Sequence, residues 1–473
     1  VRPDFDCQNA ITIFHSGMLF PEIRQCAWIP FLRSRGRAMA GLAMGSLVCA
    51  SPVPAQPVRP LAQDYVMVGE SPDPENAPLY SPTILRLDSG RLVAAYNQSR
   101  DKKAVEPGEK FEVFLTSDDH GATWQTRARV EKVLQGRLFE AGGSIYYLSA
   151  GSKLSIMRSA DQGASWSEPV VLDESGAGWH QTPANFWRAK GNVYLAVEHC
   201  ASRSGNAWAV GEMAPVLMRA RESDDLLRRE SWTFASELPF RDIIPGYKEN
   251  DPQIADFGVP FFKQAYPDRA PVGGKRTMSP MGWLESNVVQ ILDPDHYWYD
   301  PTGNTFHIFL RAHTGGTGYA ALAKVVENAD GTMTTSLESA PSGKTLLFLP
   351  FPGGQMRFHI LYDEKTRKYW MLGSQATDSM TRADRLPDGR YDLPNNERNR
   401  LVLHFSTNMV DWCFAGVVAI GGGNRESRHY ASMAFDGDDL VILSRSGDHR
   451  AKSAHNGNLI TFHRVKNFRD LLY

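Results

Sequence analysis

The chain has 473 residues, a formal net charge of −2 and 42% hydrophobic residues. This balance of charges gives no indication of nucleic acid or an acidic membrane surface as a partner. Its 40 glycines, 29 prolines and 11 tryptophans favour many short strands joined by tight turns. Outside the N-terminal leader no apolar run reaches the roughly 18 residues that a transmembrane helix needs, so no span is expected.

Residues 1–55 are interpreted as a leader rather than a domain. Three arginines between residues 33 and 37 precede a modestly apolar stretch, residues 39–50, and Val53-Pro54-Ala55 offers small residues for cleavage. This pattern predicts a secretory signal cut near Ala55 and a secreted or periplasmic protein. A disordered extension is the alternative interpretation.

Five cysteines occur in the whole sequence, and three of them lie in the predicted leader. The remaining two, Cys200 and Cys413, are too few for a disulfide framework. They are expected to be buried thiols rather than a bridge or metal ligands.

After a Pro-rich lead-in, residues 56–77, the pattern of short strands begins and continues to the end of the chain. Residues 83–87 and 91–96 predict a hairpin, because Asp88-Ser89-Gly90 between them is favourable turn chemistry. Helical periodicity is scarce, with one short polar piece around residues 223–229 interpreted as an insertion. Residues 236–282 and 374–399 are predicted to be long loops, where binding residues are common. No second domain is evident in residues 78–473.

One eight-residue motif is repeated along the chain. Residues 117–124 read SDDHGATW, residues 159–166 read SADQGASW 42 positions later, and residues 406–412 form a degenerate third copy. In each, a short Asp or Asn side chain can bond backbone N–H groups of its own turn, and Trp supplies a large apolar body. A strand precedes each copy. All-β repeats of about 40 residues indicate propeller blades.

This motif resembles the Asp box (BNR repeat) of sialidases and related propellers. The resemblance implies an all-β, six-bladed β-propeller over residues 78–473. Seven blades remain open, because residues 236–282 have room for further strands.

Sialidases use a Tyr nucleophile paired with a Glu, an exception among glycosidases. A phenol activated by a neighbouring Glu avoids the repulsion between a carboxylate nucleophile and a substrate carboxylate. Tyr430, in Tyr430-Ala431-Ser432-Met433, is similar to the family's nucleophile, and Glu285, in Leu284-Glu285-Ser286-Asn287-Val288, to its base. A core Tyr on a strand is the alternative for Tyr430.

The resemblance also implies arginines that hold a substrate carboxylate, a purpose for which the guanidinium fork is well suited. Arg311 and Arg398 match two of the family's three arginines, with Arg400 as a rival to Arg398. A surface ion pair or an ion pair between blades is the alternative for each. The first arginine is absent, because Tyr80 stands in its place, where it could stack on a sugar face. That departure puts true sialidase activity in doubt and favours a different acidic sugar.

The family's general acid matches Glu106, in Glu106-Pro107-Gly108, with Asp101 and Glu109 as rivals and solvated charge as the alternative. His180, His429 and His455 lie among aromatic and amide residues that suit sugar binding but are equally common in propeller cores.

Three hypotheses for function follow. The first is a secreted exo-glycosidase that releases a terminal acidic sugar by a retaining Tyr430/Glu285 mechanism. The second is a propeller-type polysaccharide lyase, in which His180, Tyr430 and Arg311 catalyse β-elimination at a uronate. The third is a glycan-binding propeller without activity. No motif for a cofactor or a metal is present, so neither is predicted; the oligomeric state is left open.

Overall fold

The computed structural model describes residues 58–99, 110–131, 133–202, 209–243, 253–255, 270–273, 276–278, 281–314, 316–380 and 397–473. These residues form a β-propeller, as the repeat predicted, with the six blades that the resemblance implied. Each blade is an antiparallel sheet built on four strands, and two of the blades contain one additional strand.

The first strand of the described residues is β1 (Val66–Glu70), which lies within the predicted lead-in and belongs to the last blade. The first blade consists of β2 (Leu79–Arg86), β3 (Leu92–Gln98), β4 (Phe111–Ser117) and β5 (Gln125–Glu131). The second consists of β6 (Arg137–Ala141), β7 (Ser144–Ala150), β8 (Leu154–Ser159) and β9 (Val170–Asp173).

The two middle blades contain the additional strands. The third consists of β10 (Trp179–His180), β11 (Trp187–Ala189), β12 (Asn192–Cys200), β13 (Met213–Arg221) and β14 (Thr233–Phe234). A hairpin, β15 (Ala270–Gly273) and β16 (Arg276–Met278), precedes the fourth blade. That blade consists of β17 (Gly282–Val289), β18 (Thr305–His313), β19 (Tyr319–Glu327) and β20 (Met333–Ser336). After the small pair β21 (Glu338–Ser339) and β22 (Thr345–Leu346), β23 (Phe348–Pro350) joins this blade beside β19.

The last two blades close the ring. The fifth consists of β24 (His359–Asp363), β25 (Lys368–Ser374), β26 (Arg400–Ser406) and β27 (Cys413–Ile420). The sixth takes β28 (Arg428–Asp436), β29 (Asp439–Ser446) and β30 (Leu459–Val465) from the C-terminal part, and β1 pairs with β30 as its fourth strand. The described helices are short: α1 (Phe240–Ile243) and the 3-10 turns Val210–Glu212, Arg229–Ser231, Asp378–Met380 and Phe468–Leu471.

Six apolar cores lie between neighbouring blades, one for each interface around the ring. In blade order they contain the pairs Leu92 and Phe462, Val93 and Tyr147, Phe139 and Leu195, Leu217 and Ile308, Phe309 and Ile360, and Leu403 and Ile442. Successive residues of a strand point to opposite faces, so neighbours such as Leu92 and Val93 enter different cores. The second strands therefore read as continuous apolar runs.

The repeated motif forms the turn between the third and fourth strands of a blade. In the first copy, Asp119 accepts hydrogen bonds from the Thr123 amide (2.9 Å) and from its hydroxyl (2.6 Å). The Gly121 amide bonds Ser117 Oγ at 2.8 Å. Gly121 has φ +88, and a Cβ there would lie 2.3 Å from the Phe462 ring, so only glycine fits.

The second and third copies make equivalent bonds. Asp161 accepts from the Ser165 amide at 2.9 Å, and Asn408 accepts from the Asp411 amide at 2.8 Å. The motif tryptophans pack on rings of the preceding blade: Trp124 on Phe462, Trp166 on Phe114 and Trp412 on Phe351. Each turn thus packs its tryptophan against the neighbouring blade and stabilises the interface between the two blades.

The helical insertion expected around residues 223–229 is not found. These residues form turns between β13 and β14, followed by the 3-10 turn Arg229–Ser231. The Trp232 indole donates to the Leu226 carbonyl at 2.9 Å and is buried there, which gives this turn the same Trp-under-turn packing as the motif. Polar side chains that are spaced for a helix here bond to groups within the turn instead.

Cys200 and Cys413 are both free thiols, the first buried and the second half-buried. No helix in the described part of the chain is long and apolar enough to cross a membrane. The predicted leader, and most of the loops predicted within residues 236–282 and 374–399, lie outside the described residues.

Candidate active site

The strands of each blade are counted here in the order given above, so that β28 is the first strand of the sixth blade. Polar side chains gather at the end of the ring where first strands begin and second strands end. Four of these first strands contact one another in succession: β6 contacts β2, β2 contacts β28, and β28 contacts β24. Because strands alternate in direction, the start of a first strand, the end of a second and the start of a third meet at this end. Tyr430, Glu285, Arg311 and Arg398 all lie there, on elements of three different blades.

Three first strands are interrupted by a β-bulge with a residue in the left-handed region. These residues are Ser81 in β2 (φ 50), Glu285 in β17 (φ 65) and Tyr430 in β28 (φ 48), each at a shift in strand register. A non-glycine residue in such a conformation costs about 1–3 kcal/mol, and a bulge re-aims the side chain at that point. The same device therefore places both Glu285 and Tyr430 at the centre.

Tyr430 and Glu285 form a buried pair. The phenol donates to Glu285 Oε1 at 2.5 Å, and Arg311 Nη1 donates to the phenol oxygen at 2.6 Å. Arg311 Nη1 also lies 3.4 Å from both carboxylate oxygens of Glu285. Burial raises the pKa of Tyr430 above 10.0, and Glu285 adds to this, while Arg311 opposes it. The phenol is thus neutral at rest, with a proton acceptor in direct contact.

Arg398 lies two residues before the start of β26, and its side chain approaches the same phenol. Its guanidinium carbon lies 5.1 Å from the centre of the Tyr430 ring, and Nη1 lies 3.1 Å from His429 Nδ1. His429 is fully buried beside Tyr430, so it supports Arg398 rather than facing the open end. Arg400, the rival candidate, contacts Gln375 instead.

Arg445 is a third central arginine, which the sequence analysis missed. Its guanidinium carbon lies 5.3 Å from the Tyr430 ring centre and 4.2 Å from that of Tyr80. Arg445 pairs with His429, the residue before the bulged Tyr430, just as Arg311 pairs with Leu284, the residue before the bulged Glu285. Both arginines stand near the end of a second strand, so aligning the blades with one another would have identified it.

Tyr80 contacts protein groups on both its ring and its hydroxyl. The hydroxyl donates to Asn456 Oδ1 at 2.6 Å, and the ring lies under the Arg445 guanidinium. The residue that replaces the expected arginine therefore holds another arginine in place.

The central charges are unbalanced toward positive. Arg311, Arg398 and Arg445 surround one carboxylate, that of Glu285. Burial and the neighbouring Arg398 lower the pKa of Arg445 to about 9, which leaves it charged at neutral pH. The Nε atoms of Arg398 and Arg445 are buried without a hydrogen-bond partner among the described residues. A buried excess of cations favours an anionic ligand.

His180 lies at the end of β10, in contact with Glu198 of β12. His455 reaches Arg445, with its Nδ1 3.2 Å from Arg445 Nη2. Glu106, Asp101 and Glu109, the candidates for the general acid, lie outside the described residues, and their placement stays a prediction.

No protein-family model and no curated protein matches the chain. Among solved structures, a protein of unknown function from Dyadobacter fermentans DSM 18053 is similar, with a TM-score of 0.51 and 13% identity over 85% of this chain and 98% of that one. The Hadza microbial sialidase Hz136 has a TM-score of 0.50 and 13% identity over 85% of this chain and 68% of that one. At this identity the two similarities establish the propeller fold alone.

Proposed function

We propose that this protein is a glycosidase that releases a terminal acidic sugar from glycans by a retaining mechanism. The observation that carries the proposal is the Tyr430–Glu285 contact of 2.5 Å beneath the Arg311 side chain. A nucleophile in direct contact with a base is the arrangement that covalent catalysis requires.

Each central group has a role in this mechanism. Tyr430 attacks the anomeric carbon and gives its proton to Glu285. Arg311 stabilises the negative charge that develops on the phenol oxygen, which it already contacts. In the second step, water releases the sugar and Tyr430 recovers its proton from Glu285.

The substrate's negative charge is assigned to the arginine cluster. Arg398 and Arg445 provide positive charge beside the Tyr430 ring, within 5.1 Å and 5.3 Å of its centre. A Tyr nucleophile suits such a substrate, since a phenol does not repel a carboxylate next to the reacting carbon. The sialidase named among the similar structures supports an acidic sugar as the substrate class. The leaving oxygen needs a proton, for which Glu106 is the donor predicted from the sequence.

The test is an activity screen on sialosides and on uronate-containing glycans with wild type and Tyr430→Phe. We expect released reducing sugar in wild type and a loss on the order of 10³-fold or more in the variant, as for other catalytic nucleophiles. Tyr362→Phe is the matched control, because that half-buried tyrosine lies on β24 outside the cluster. We expect it to retain activity.

The rival functions give different outcomes in the same screen. Ultraviolet absorbance from an unsaturated uronate would identify a lyase and overturn the glycosidase. Glycan binding with no product of either kind would identify a binding module.

A further inference from the structure

His180 is held by one ring nitrogen only. Its Nδ1 lies 2.8 Å from Glu198 Oε2, and its Nε2 makes no hydrogen bond within the described part of the chain. The side chain is 19% exposed, whereas the His429 and His359 side chains near the axis are buried. His180 therefore presents a ring nitrogen that a ligand can reach.

Glu198 connects His180 to the strand that carries Glu285. It is fully buried, and its Oε1 accepts hydrogen bonds from the Ser286 amide, at 2.8 Å, and from the Ser286 hydroxyl. Ser286 directly follows Glu285 in the bulge of β17. One carboxylate thus fixes the His180 ring and the Glu285 bulge relative to each other. A carboxylate on Nδ1 also selects the ring orientation in which Nε2 is available for proton transfer.

The protonation of His180 differs from that of its neighbours. Burial lowers its pKa, but the Glu198 hydrogen bond and charge outweigh this and raise the pKa above 6.5; Glu285 adds to the rise and Arg311 opposes it. Burial and nearby arginines hold the pKa values of His429 and His359 well below 6.5. His180 is thus the histidine of this group that carries a transferable proton near neutral pH.

A cavity of about 570 Å³ opens beside His180. Its lining is mostly apolar and backbone, with Trp179, Met213 and Gly151 among its members. Pockets of about 300–1,000 Å³ hold small ligands in proteins, so a sugar unit fits beside the free Nε2. The lining residues come from the second and third blades, whereas Tyr430 comes from the sixth.

We propose that His180, oriented by Glu198, donates the proton to the leaving oxygen, with the leaving sugar in this cavity. This inference rests on the proposed glycosidase function and gives the donor role to His180 instead of Glu106. As Tyr430 forms its bond to the anomeric carbon, the bond from that carbon to the leaving oxygen breaks. The oxygen keeps the electron pair and takes the proton from His180 Nε2. In the second step His180 recovers a proton from the attacking water.

The test compares two leaving groups on one acidic sugar, the methyl glycoside and the 4-nitrophenyl glycoside of N-acetylneuraminic acid, or of glucuronic acid if the screen selects uronates. The 4-nitrophenolate group can leave without protonation. The methyl glycoside needs a proton on its leaving oxygen, which departs as methanol. For His180→Gln we expect kcat/KM to fall about 10²- to 10⁴-fold on the methyl glycoside and less than about tenfold on the 4-nitrophenyl glycoside. An equal loss on both substrates, or none, would overturn the assignment.

Two further variants and the wild-type activity distinguish the possible causes of a loss. His120→Gln is the control, because His120 lies in the turn after β4, at the end of the blade away from the candidate site. It is expected to keep full activity on both substrates. A selective loss on the methyl glycoside in Glu106→Gln, with His180→Gln unaffected, would give the donor role to Glu106 and overturn the proposal. Failure of the glycosidase function itself would be recognised separately, as wild type inactive on both substrates.

The wild-type pH profile tests the same role without any substitution. With the methyl glycoside, kcat/KM should fall on the alkaline side as His180 loses its proton, and this limb should be absent with the 4-nitrophenyl glycoside. Glu198→Gln removes the charge that raises the pKa of His180, so the limb should move to lower pH. A limb that stays in place in Glu198→Gln would contradict the orientation and charge role given to Glu198.

Discussion

At the scale of single residues, Arg445 tests whether the central arginines share one anionic ligand. Arg445→Met keeps much of the side-chain length but removes the charge over the Tyr80 and Tyr430 rings. The loss of one charge-assisted hydrogen bond costs about 1.5–3 kcal/mol, which corresponds to about a 10- to 160-fold rise in KM. We expect kcat to change less, since Tyr430, Glu285 and Arg311 remain.

Steady-state kinetics on the 4-nitrophenyl glycoside of the acidic sugar measure this effect. Arg228→Met is the matched control, because the Arg228 side chain is 70% exposed and away from the cluster. An unchanged KM in Arg445→Met would exclude Arg445 from substrate binding.

The central residues differ in how far their sequence context identified them. Tyr430, Glu285 and Arg311 stand in short local patterns, so they could be proposed as a group, and the structure brings them into contact. Arg445 has no such pattern, since its place follows from its pairing with His429 across two strands. The His180–Glu198 contact likewise joins residues 18 positions apart. Long-range pairing of this kind leaves no local motif around either residue, and only a comparison between blades would reveal it.

At the scale of the element, the stability of the repeated turn depends more on the Asp119 carboxylate than on the other side chains of the turn. Hydrogen bonds from the Thr123 hydroxyl and amide lower the pKa of Asp119 to about 2, from 3.8. Because the folded-state pKa is depressed, the stabilisation is present above pH 3.8 and is lost as the pH falls through about 2. Asp119→Ala should therefore lower the Tm at pH 7 and approach wild type near pH 2.

Thermal unfolding between pH 7 and pH 2 measures this difference. Asp118→Ala is the control within the same turn, because Asp118 is exposed and forms its ion pair with Arg91 on the surface. We expect it to change the Tm much less. A Tm difference for Asp119→Ala that persists unchanged at pH 2 would contradict the charge-dependent bonds given to this turn.

Strands and turns were more predictable than the irregularities between them. The apolar run and motif at residues 111–124 correspond to β4 and its turn, because buried strands and Gly-containing turns have strong local signals. The bulges at Glu285 and Tyr430 have no comparable signal, since these residue types are ordinary in strands. The expected helix at residues 223–229 failed because turn-forming Ser and Asp residues compete with helix formation.

At the scale of the whole molecule, the blade count follows from closure, which local patterns do not contain. The repeat spacing predicted a propeller but left six or seven blades open. Six inter-blade cores form a complete ring, and the last of them joins Leu92 of the first blade to Phe462 of the sixth. The lead-in gave no sign of its strand, because β1 is only five residues long and half-exposed.

The ring is held closed by the pairing of β1 with β30, and this pairing can be removed without touching the centre. Val66 pairs with Phe462 and Glu70 pairs with Leu459. Deletion through residue 71 would leave β30 as an exposed edge, with its row of backbone N–H and C=O groups unpaired. We expect a lower Tm, faster protease cleavage and a tendency to aggregate, because the fourth strand of the sixth blade is lost.

A matched truncation separates closure from the mere loss of N-terminal residues. A chain that begins at residue 58 keeps β1 and should unfold at the same temperature as the longer chain, whereas one that begins at residue 72 should not. Because β28 and β29, which carry Tyr430 and Arg445, do not pair with β1, activity at low temperature should fall less than stability. Equal Tm values for the two truncations would show that the inter-blade cores close the ring without β1.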